Sequence, residues 1–421
     1  LAMVEHAVPP EPVEHDHRLE TPDALLARSN GPTYAALDLG TNNCRLLIAA
    51  PTRQGFRVID SFSRIVRLGE GLHSSGRLSD EAMDRTIGAL HACASRLGRR
   101  RLRGMRAVAT EACRRAENGR SFLDRVRQET GLSIDVISTR EEAELALESC
   151  AALLQADLPD RANSPANGFD RSDPSECYPF GLHRTDEADR ARSRALLFDI
   201  GGGSTEIAWI RVGDCSAVGG GADRSRPELV GYQSLPLGVI TLAELFGDDA
   251  FTQGGYEAMV EHVSAQLKRF EAVHCIGREV RRGAVRLLGT SGTVTTLASM
   301  ALGLRRYRRA LVDGVVLSRQ AAHDAIAQLR ALGPEGLRMH GCVGSERSTY
   351  VLPGCAIFDA IHRLWPTDNV VVADRGLRDG MLLRMMRDRS PMDRSQPYHA
   401  PEAVAPAAVR PPLGSVSTAL S

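Results

Sequence analysis

Two hydrophobic rhythms take turns along this chain. "YAALDL" (34–39), "CRLLIAA" (44–50) and "FRVIDSF" (56–62) are short apolar or alternating runs of strand length. Ser79 then precedes an apolar stripe at helical spacing, Met83, Ile87, Leu90, Ala94 and Leu97, which Gly98 ends. "MRAVAT" (105–110) and "SIDVIS" (133–138) predict two more strands, and "TREEAELALESCAALLQ" (139–155) predicts a helix. The second half repeats the scheme. "ALLFDI" (195–200), "TEIAWI" (205–210) and "LVGYQSLP" (229–236) read as strands, followed by a long helix over 253–274. "VRLLGT" (285–290) is a strand running into a helix over 292–303. Helices follow over 318–331 and within 345–365, then strand "NVVVAD" (369–374) and a last helix over 377–388.

Where the rhythm fails, the chain divides. Residues 1–32 are rich in proline and charge and read as a flexible N-terminal arm. Residues 157–194 are polar throughout and read as a flexible insertion, because a periodicity-free stretch of that length does not belong inside a packed domain. "VGGGADRSRPE" (218–228) reads as a hairpin tip, and 389–421 as a disordered tail. The expected domains are therefore 33–156 and 195–376, with the helix 377–388 returning to the first.

Composition narrows the function classes. The 421 residues carry 52 Lys+Arg and 52 Asp+Glu. With the charges balanced, no overall field draws the chain to nucleic acid or an anionic membrane. Any anion site has to be local. Nine scattered cysteines without a CxxC argue against a disulfide framework or a zinc site and suit a reducing cytoplasm. No apolar run approaches the roughly 20 residues that span a bilayer. Glu5, His6 and the early prolines stand where a signal peptide needs an apolar core.

An internal repeat supplies the local site. "LDLGTNNCRLL" (37–47) aligns with "FDIGGGSTEIA" (198–208), matching Asp38 with Asp199, Gly40 with Gly201 and Asn43 with Ser204. Each copy opens an α/β half, as a duplicated β-turn-β unit would. Glycine turns let successive N–H groups converge on an anion, and Thr41, Asn42, Ser204 and Thr205 add short donors. An aspartate at a strand end repels phosphate and suits a divalent cation bridging to it. Two facing turns can clamp a polyphosphate; the competing reading is a pair of ordinary glycine hairpins. "LLGTSGTVTTLA" (287–298) adds a strand, a Gly-Thr-Ser-Gly turn and a helix N-terminus, which is an anion site or simply a capped helix.

These motifs occur in order with "VRLGEGL" (66–72), "ATEACRRAENGRSFL" (109–123), "ISTREEAELA" (137–146) and "ADRGLRDGML" (373–382). The set resembles the exopolyphosphatase and guanosine pentaphosphate phosphatase family over roughly 33–156 and 195–388. The resemblance implies two similar actin-like α/β domains, of the ribonuclease H-like, sugar kinase and Hsp70 group, facing each other across a cleft. It implies Mg²⁺-dependent hydrolysis of a terminal phosphoanhydride in polyphosphate or pppGpp, in a cytoplasmic homodimer. It puts Glu142 at the catalytic glutamate and Arg114 at a phosphate-gripping arginine. Asp38, Gly40, Thr41, Asn42 and Asn43 fall in the first phosphate loop, and Gly201, Gly202, Gly203, Ser204 and Thr205 in the second. Gly289, Ser291 and Gly292 form a third phosphate element, and Asp199 and Glu206 are the metal carboxylates. The resemblance ends near 388, before the extra C-terminal helical domains that longer members use to grip long polymers, so it leaves processivity on long polyphosphate open.

Other readings of these residues stay open. Thr139-Arg-Glu-Glu142 is also a capping box with Thr139 as N-cap, and Glu141 stands in for Glu142 if the register slips by one. Arg114 and Arg115 begin a short helix and also read as a solvated pair. "GRRRLRGMR" (98–106) and "LRRYRR" (304–309) read as solvated loops able to steer a polyanion. Glu346 and Arg347 read as a buried ion pair or cleft wall. Rival functions are an ATP-dependent small-molecule kinase of the same fold and a ppGpp-binding regulatory protein.

Overall fold

The structure, a computed structural model, describes residues 32–53, 55–155, 194–212 and 226–388. The expected arm, insertion, tail and most of the 218–228 tip lie outside the described residues, as do Cys177 and Cys215. The remaining seven cysteines are free thiols.

Tyr34–Leu39 (β1), Asn43–Thr52 (β2) and Gly55–Ile65 (β3) form an antiparallel meander. Beyond β1 run Gly104–Ala109 (β4) and Asp135–Val136 (β5), both parallel, giving the order β3-β2-β1-β4-β5. Arg194–Ile200 (β6), Thr205–Arg211 (β7) and Glu228–Leu235 (β8) repeat the meander. Val285–Thr290 (β9) lies parallel to β6. Val316–Ser318 (β10) is an antiparallel edge on Asn369–Ala373 (β11), which is parallel to β9. The second order, β8-β7-β6-β9-β11, is the first one again with β10 added.

Both faces of each central strand are covered, which is why β1 and β6 read as continuous apolar runs. Ala35, Leu37 and Leu39 pack with Ile87, Leu90 and Leu97 of the helix Asp80–Gly98. Ser79 caps that helix, accepting the Ala82 N–H at 3.2 Å. Tyr34 and Ala36, one residue out of phase, pack with Leu377, Met381 and Leu382. The C-terminal helix Leu377–Asp388 thus lies on the first sheet. In the second lobe Leu196, Phe198 and Ile200 face the main core, while Ala195 and Leu197 face Leu147, Cys150 and Leu154.

Those last three residues belong to the helix Thr139–Gln155, whose Leu145 packs with the first-sheet cluster. One helix therefore serves both lobes, and its N-terminal turn opens between them. The expected strand 133–138 shrinks to two residues. Arg114 and Arg115 end the short helix Glu111–Arg115 rather than begin it. The helices Gly119–Thr130 and Val239–Phe246 were not anticipated. The first has only a few apolar anchors. The second, "VITLAELF", opens with three β-branched residues before four strong helix formers, a mixture that leaves its form to its setting.

Candidate active site

The two repeated turns meet. Gly40 donates its N–H to the Asn43 carbonyl at 2.9 Å, and Gly201 donates to Ser204 at 2.9 Å, so the turns close alike. Their carbonyls are occupied from behind. Thr41 O accepts from Gly69, and Asn42 O from Val66 and Arg67, at 2.8–3.0 Å, so the segment "VRLGEGL" braces the first loop. Gly201 O accepts from Val239 at 3.0 Å, Gly202 O from Ile240 at 2.8 Å, and Gly203 O from the Thr241 hydroxyl at 3.3 Å. With these carbonyls occupied, the loops' backbone N–H groups suit an anion, and Asn42 Oδ1 stands buried without a partner beside them. A Cβ at Gly202 would stand 3.1 Å from Asn42 Cβ, and one at Gly203 2.7 Å from Thr41 Oγ1. Only glycine lets the loops touch.

A cavity of about 480 Å³ lies beside this contact, walled by both lobes. Strand register puts Asp199 opposite Glu206 in the second lobe and Asp38 opposite Arg45 in the first. All four line the cavity. The repeat is thus broken in charge at one position, with arginine where its counterpart is glutamate. Arg347 and Arg378 line the same space, and desolvation followed by the charge of Arg45 lowers the pKa of both. A cluster of cations that depress one another is what an incoming polyanion relieves.

Glu142 sits at the mouth of the shared helix. Ser138, not Thr139, is the cap: its hydroxyl accepts the Glu141 N–H at 3.2 Å, and its carbonyl accepts the Glu142 N–H at 3.0 Å. The capping register therefore falls one residue earlier than the sequence suggests. Glu141 pairs with Arg106 outside, and Glu142 is left to turn inward, where it is 7% exposed and lines the cavity. Arg114 Nη1 reaches Glu142 Oε2 at 3.2 Å. Burial raises the Glu142 pKa well above the carboxylate range, the charge of Glu206 adds to this, and Arg114 opposes it.

Neighbouring carboxylates are also pushed up. Burial holds Asp199 at about 6, with Arg45 opposing. Burial and then the charge of Asp199 hold Glu206 at about 7, although Ser204 and Ser234 hydroxyls donate to it at 2.6 and 2.9 Å. Asp38 is raised by burial, and its Oδ1 has no hydrogen-bond partner. In the unfolded chain these groups ionise near their ordinary values, so the folded state binds more protons between pH 4 and 7. Their stabilising contribution is fully present below about pH 4 and is lost as pH rises through about 6 and 7. Thermal melting of the ligand-free protein should therefore fall by several degrees, on the order of 5 °C, between pH 5 and 8. Asp199→Asn should flatten the fall. A wild-type midpoint that rises over this range would count against the strained carboxylates.

Several expected site residues are elsewhere engaged. Arg114 does not line the cavity; Glu111, Glu142 and the Ile137 carbonyl take its guanidinium. Thr205 points away, donating to Leu237 O at 2.7 Å. Gly289 is not on the wall either: a Cβ there would meet Phe198 at 2.5 Å, so packing requires that glycine. Ser291 and Gly292 do line the cavity, at the start of the helix Gly292–Ala301. Glu346 is exposed, so no buried pair with Arg347 forms. "LRRYRR" is not merely solvated: Tyr307 and Arg309 line the cavity, tied to Asp374 and Asp379. Arg45 was missed, although the alignment of the two turns had set it against Glu206.

Two α/β lobes with the same strand order therefore bring their repeated glycine turns to one shared cavity. The model of the Ppx/GppA phosphatase family matches residues 47–158 and 186–389, and the chain belongs to that family. It is similar to guanosine-5'-triphosphate,3'-diphosphate pyrophosphatases of Photobacterium profundum, 26% identical over 84% of this chain and 59% of the relative, and of Aeromonas salmonicida, 26% over 86% and 61%. The chain thus spans about three fifths of the length of these relatives. An exopolyphosphatase-like protein of solved structure superposes with a TM-score of 0.65 at 26% identity, covering 85% of this chain and 98% of that one. An exopolyphosphatase from Cytophaga hutchinsonii has the same fold, with a TM-score of 0.65 at 21% identity over 85% and 99% of the two chains.

Proposed function

We propose that this protein hydrolyses a terminal phosphoanhydride, releasing orthophosphate from inorganic polyphosphate or converting pppGpp to ppGpp. The observation that carries the reading is Glu142. It is a buried carboxylate opening onto a cavity lined by two glycine loops whose carbonyls from Thr41, Asn42, Gly201, Gly202 and Gly203 are bonded elsewhere. In this reading the terminal phosphoryl group rests on the loops. Glu142 accepts a proton from a water as the water oxygen bonds to phosphorus and the bridging P–O bond breaks. The displaced phosphate oxygen leaves toward Arg45, Arg347 and Arg378, whose charges absorb what develops on it.

Mg²⁺ belongs to the proposal. Among the described residues no three His, Cys, Asp or Glu side chains converge as a metal cage. The ion does not need one, since it is commonly held by one or two carboxylates, phosphate oxygens and water. The partnerless Oδ1 of Asp38, with the carboxylate of Asp199 close enough to act on it, fits that requirement, and Glu206 lines the same cavity. When bound, the ion would neutralise phosphoryl oxygens. Free thiols suit a reducing cytoplasm, and a homodimer is the expected assembly, open to light scattering.

The deciding experiment measures orthophosphate release from polyphosphate, pppGpp and ATP, with Mg²⁺ titrated and candidate sugars present in the ATP arm. Release from either of the first two, rising with Mg²⁺, is expected. Phosphate appearing only on a sugar, or release independent of divalent cation, would replace the reading.

A further inference from the structure

Glu111 is a buried carboxylate that the proposed reaction does not use. It is 8% exposed, does not line the cavity, and stands on the same short helix as Arg114, three residues earlier. Arg114 Nη2 donates to Glu111 Oε2 at 2.6 Å. The other terminal nitrogen, Nη1, divides itself between the Ile137 carbonyl at 2.9 Å and Glu142 Oε2 at 3.2 Å. The guanidinium thus gives its shorter contact to the carboxylate away from the cavity and its longer one to the carboxylate at the cavity.

That division has a geometric consequence. A guanidinium left with one carboxylate takes it on both terminal nitrogens, in the strong parallel arrangement. Here Glu111 holds Nη2, so Glu142 cannot be gripped that way. Its carboxylate remains held through one oxygen, with the other available to the cavity.

We propose that Glu111 is a positioning residue that, by occupying one arm of Arg114, keeps Glu142 singly held and turned toward the cavity. The inference rests on the function read above for what Glu142 does, and on the contacts of Arg114 alone for how Glu142 is held. Removing the Glu111 carboxyl frees Nη2. The guanidinium then swings onto both oxygens of Glu142 and draws the base off the cavity. Substrate lies elsewhere, on the loops, so its binding is spared.

Two variants and two readouts test this, with pppGpp and short-chain polyphosphate as substrates. Glu111→Ala should lower kcat about 10–100-fold, the scale of a misplaced reacting group, with KM within about twofold. Glu111→Gln retains an oxygen able to accept from Nη2 and should stay within a few-fold of wild-type kcat. A crystal structure of Glu111→Ala should show Arg114 on both oxygens of Glu142. Wild-type kcat in Glu111→Ala, or a loss that falls on KM, overturns the proposal. If Glu111→Ala does not fold, Glu111→Gln decides: a kcat as low as that of Glu142→Gln overturns the oxygen-acceptor role. If the wild-type protein hydrolyses neither substrate, the function proposed above falls. The variant's crystal structure still judges Glu111, because an unmoved Glu142 carboxylate refutes its part.

Discussion

Glu142→Gln is expected to reduce turnover by about 10²–10⁴-fold, the usual loss of a general base, while KM stays near the wild-type value. The amide matches the carboxylate in shape and still accepts a hydrogen bond from Arg114, which lies 3.2 Å away. It cannot take a proton from water. The loops are untouched, so the phosphoryl group is still held. Stability provides an internal control. The wild-type carboxylate is buried and crowded by Glu206, and both effects oppose its ionisation. Removing the charge should therefore leave the melting temperature at pH 8 unchanged or higher, where loss of a structural ion pair would lower it. Steady-state kinetics and thermal melting on the same preparation check both halves. Undiminished turnover would show that the base is another residue, and a marked fall in melting temperature would make Glu142 structural.

Gly238→Ala is expected to lower kcat/KM by about 10²-fold or more, the penalty for shifting a binding group by roughly an ångström. Gly238 caps the helix Val239–Phe246 in an extended conformation, φ −119° and ψ −175°, which alanine adopts freely. The effect is one of space. A Cβ there would fall on the carbonyl group of Gly202 and 2.5 Å from Gly203 N. The helix N-terminus holds the loop through the bonds from Val239 and Ile240, so the two cannot separate without freeing Gly201 and Gly202 carbonyls toward the ligand. The helix and its core anchors remain, so overpacking should cost only about 1–3 kcal/mol of stability. Gly88→Ala is the control. A Cβ at that helical position meets nothing within 4 Å, and the change should leave kinetics intact and stability equal or better. Wild-type kcat/KM in Gly238→Ala would mean that the loop tolerates displacement and does not hold the substrate.

Much of the fold was legible because burial on both faces leaves a plain mark. β1, β6, β9 and β11 are continuous apolar runs, and the helices Asp80–Gly98 and Gln253–His274 carry capped apolar stripes. Segments whose form comes from their neighbours were not legible. Val239–Phe246 mixes β-branched residues with helix formers and is helical, and Asp135–Val136 is all that pairing with β4 leaves of a longer expected strand. The site divides likewise. Asp38, Asp199, the glycine loops and Glu142 stand in local patterns that a reader of the chain can align. Arg347 was read as a candidate cleft wall and does line the cavity, whereas Arg45, Arg378 and the tie between Glu111 and Arg114 were not read, because each depends on contacts with separate elements.

Read alone, the sequence settled the duplication and the two glycine turns, since each is written in neighbouring residues and in the spacing of apolar positions, and it left Glu142 in contest with a capping box and with Glu141. Tertiary structure alone decided which of those groups are free to act. It assigned Ser138 the cap and so released Glu142, gave Thr205 and Gly289 to packing, and divided Arg114 between two buried carboxylates. The physical reason is that a side chain's local pattern fixes where it starts, whereas its hydrogen-bond partners and its exposure come from elements distant in the chain.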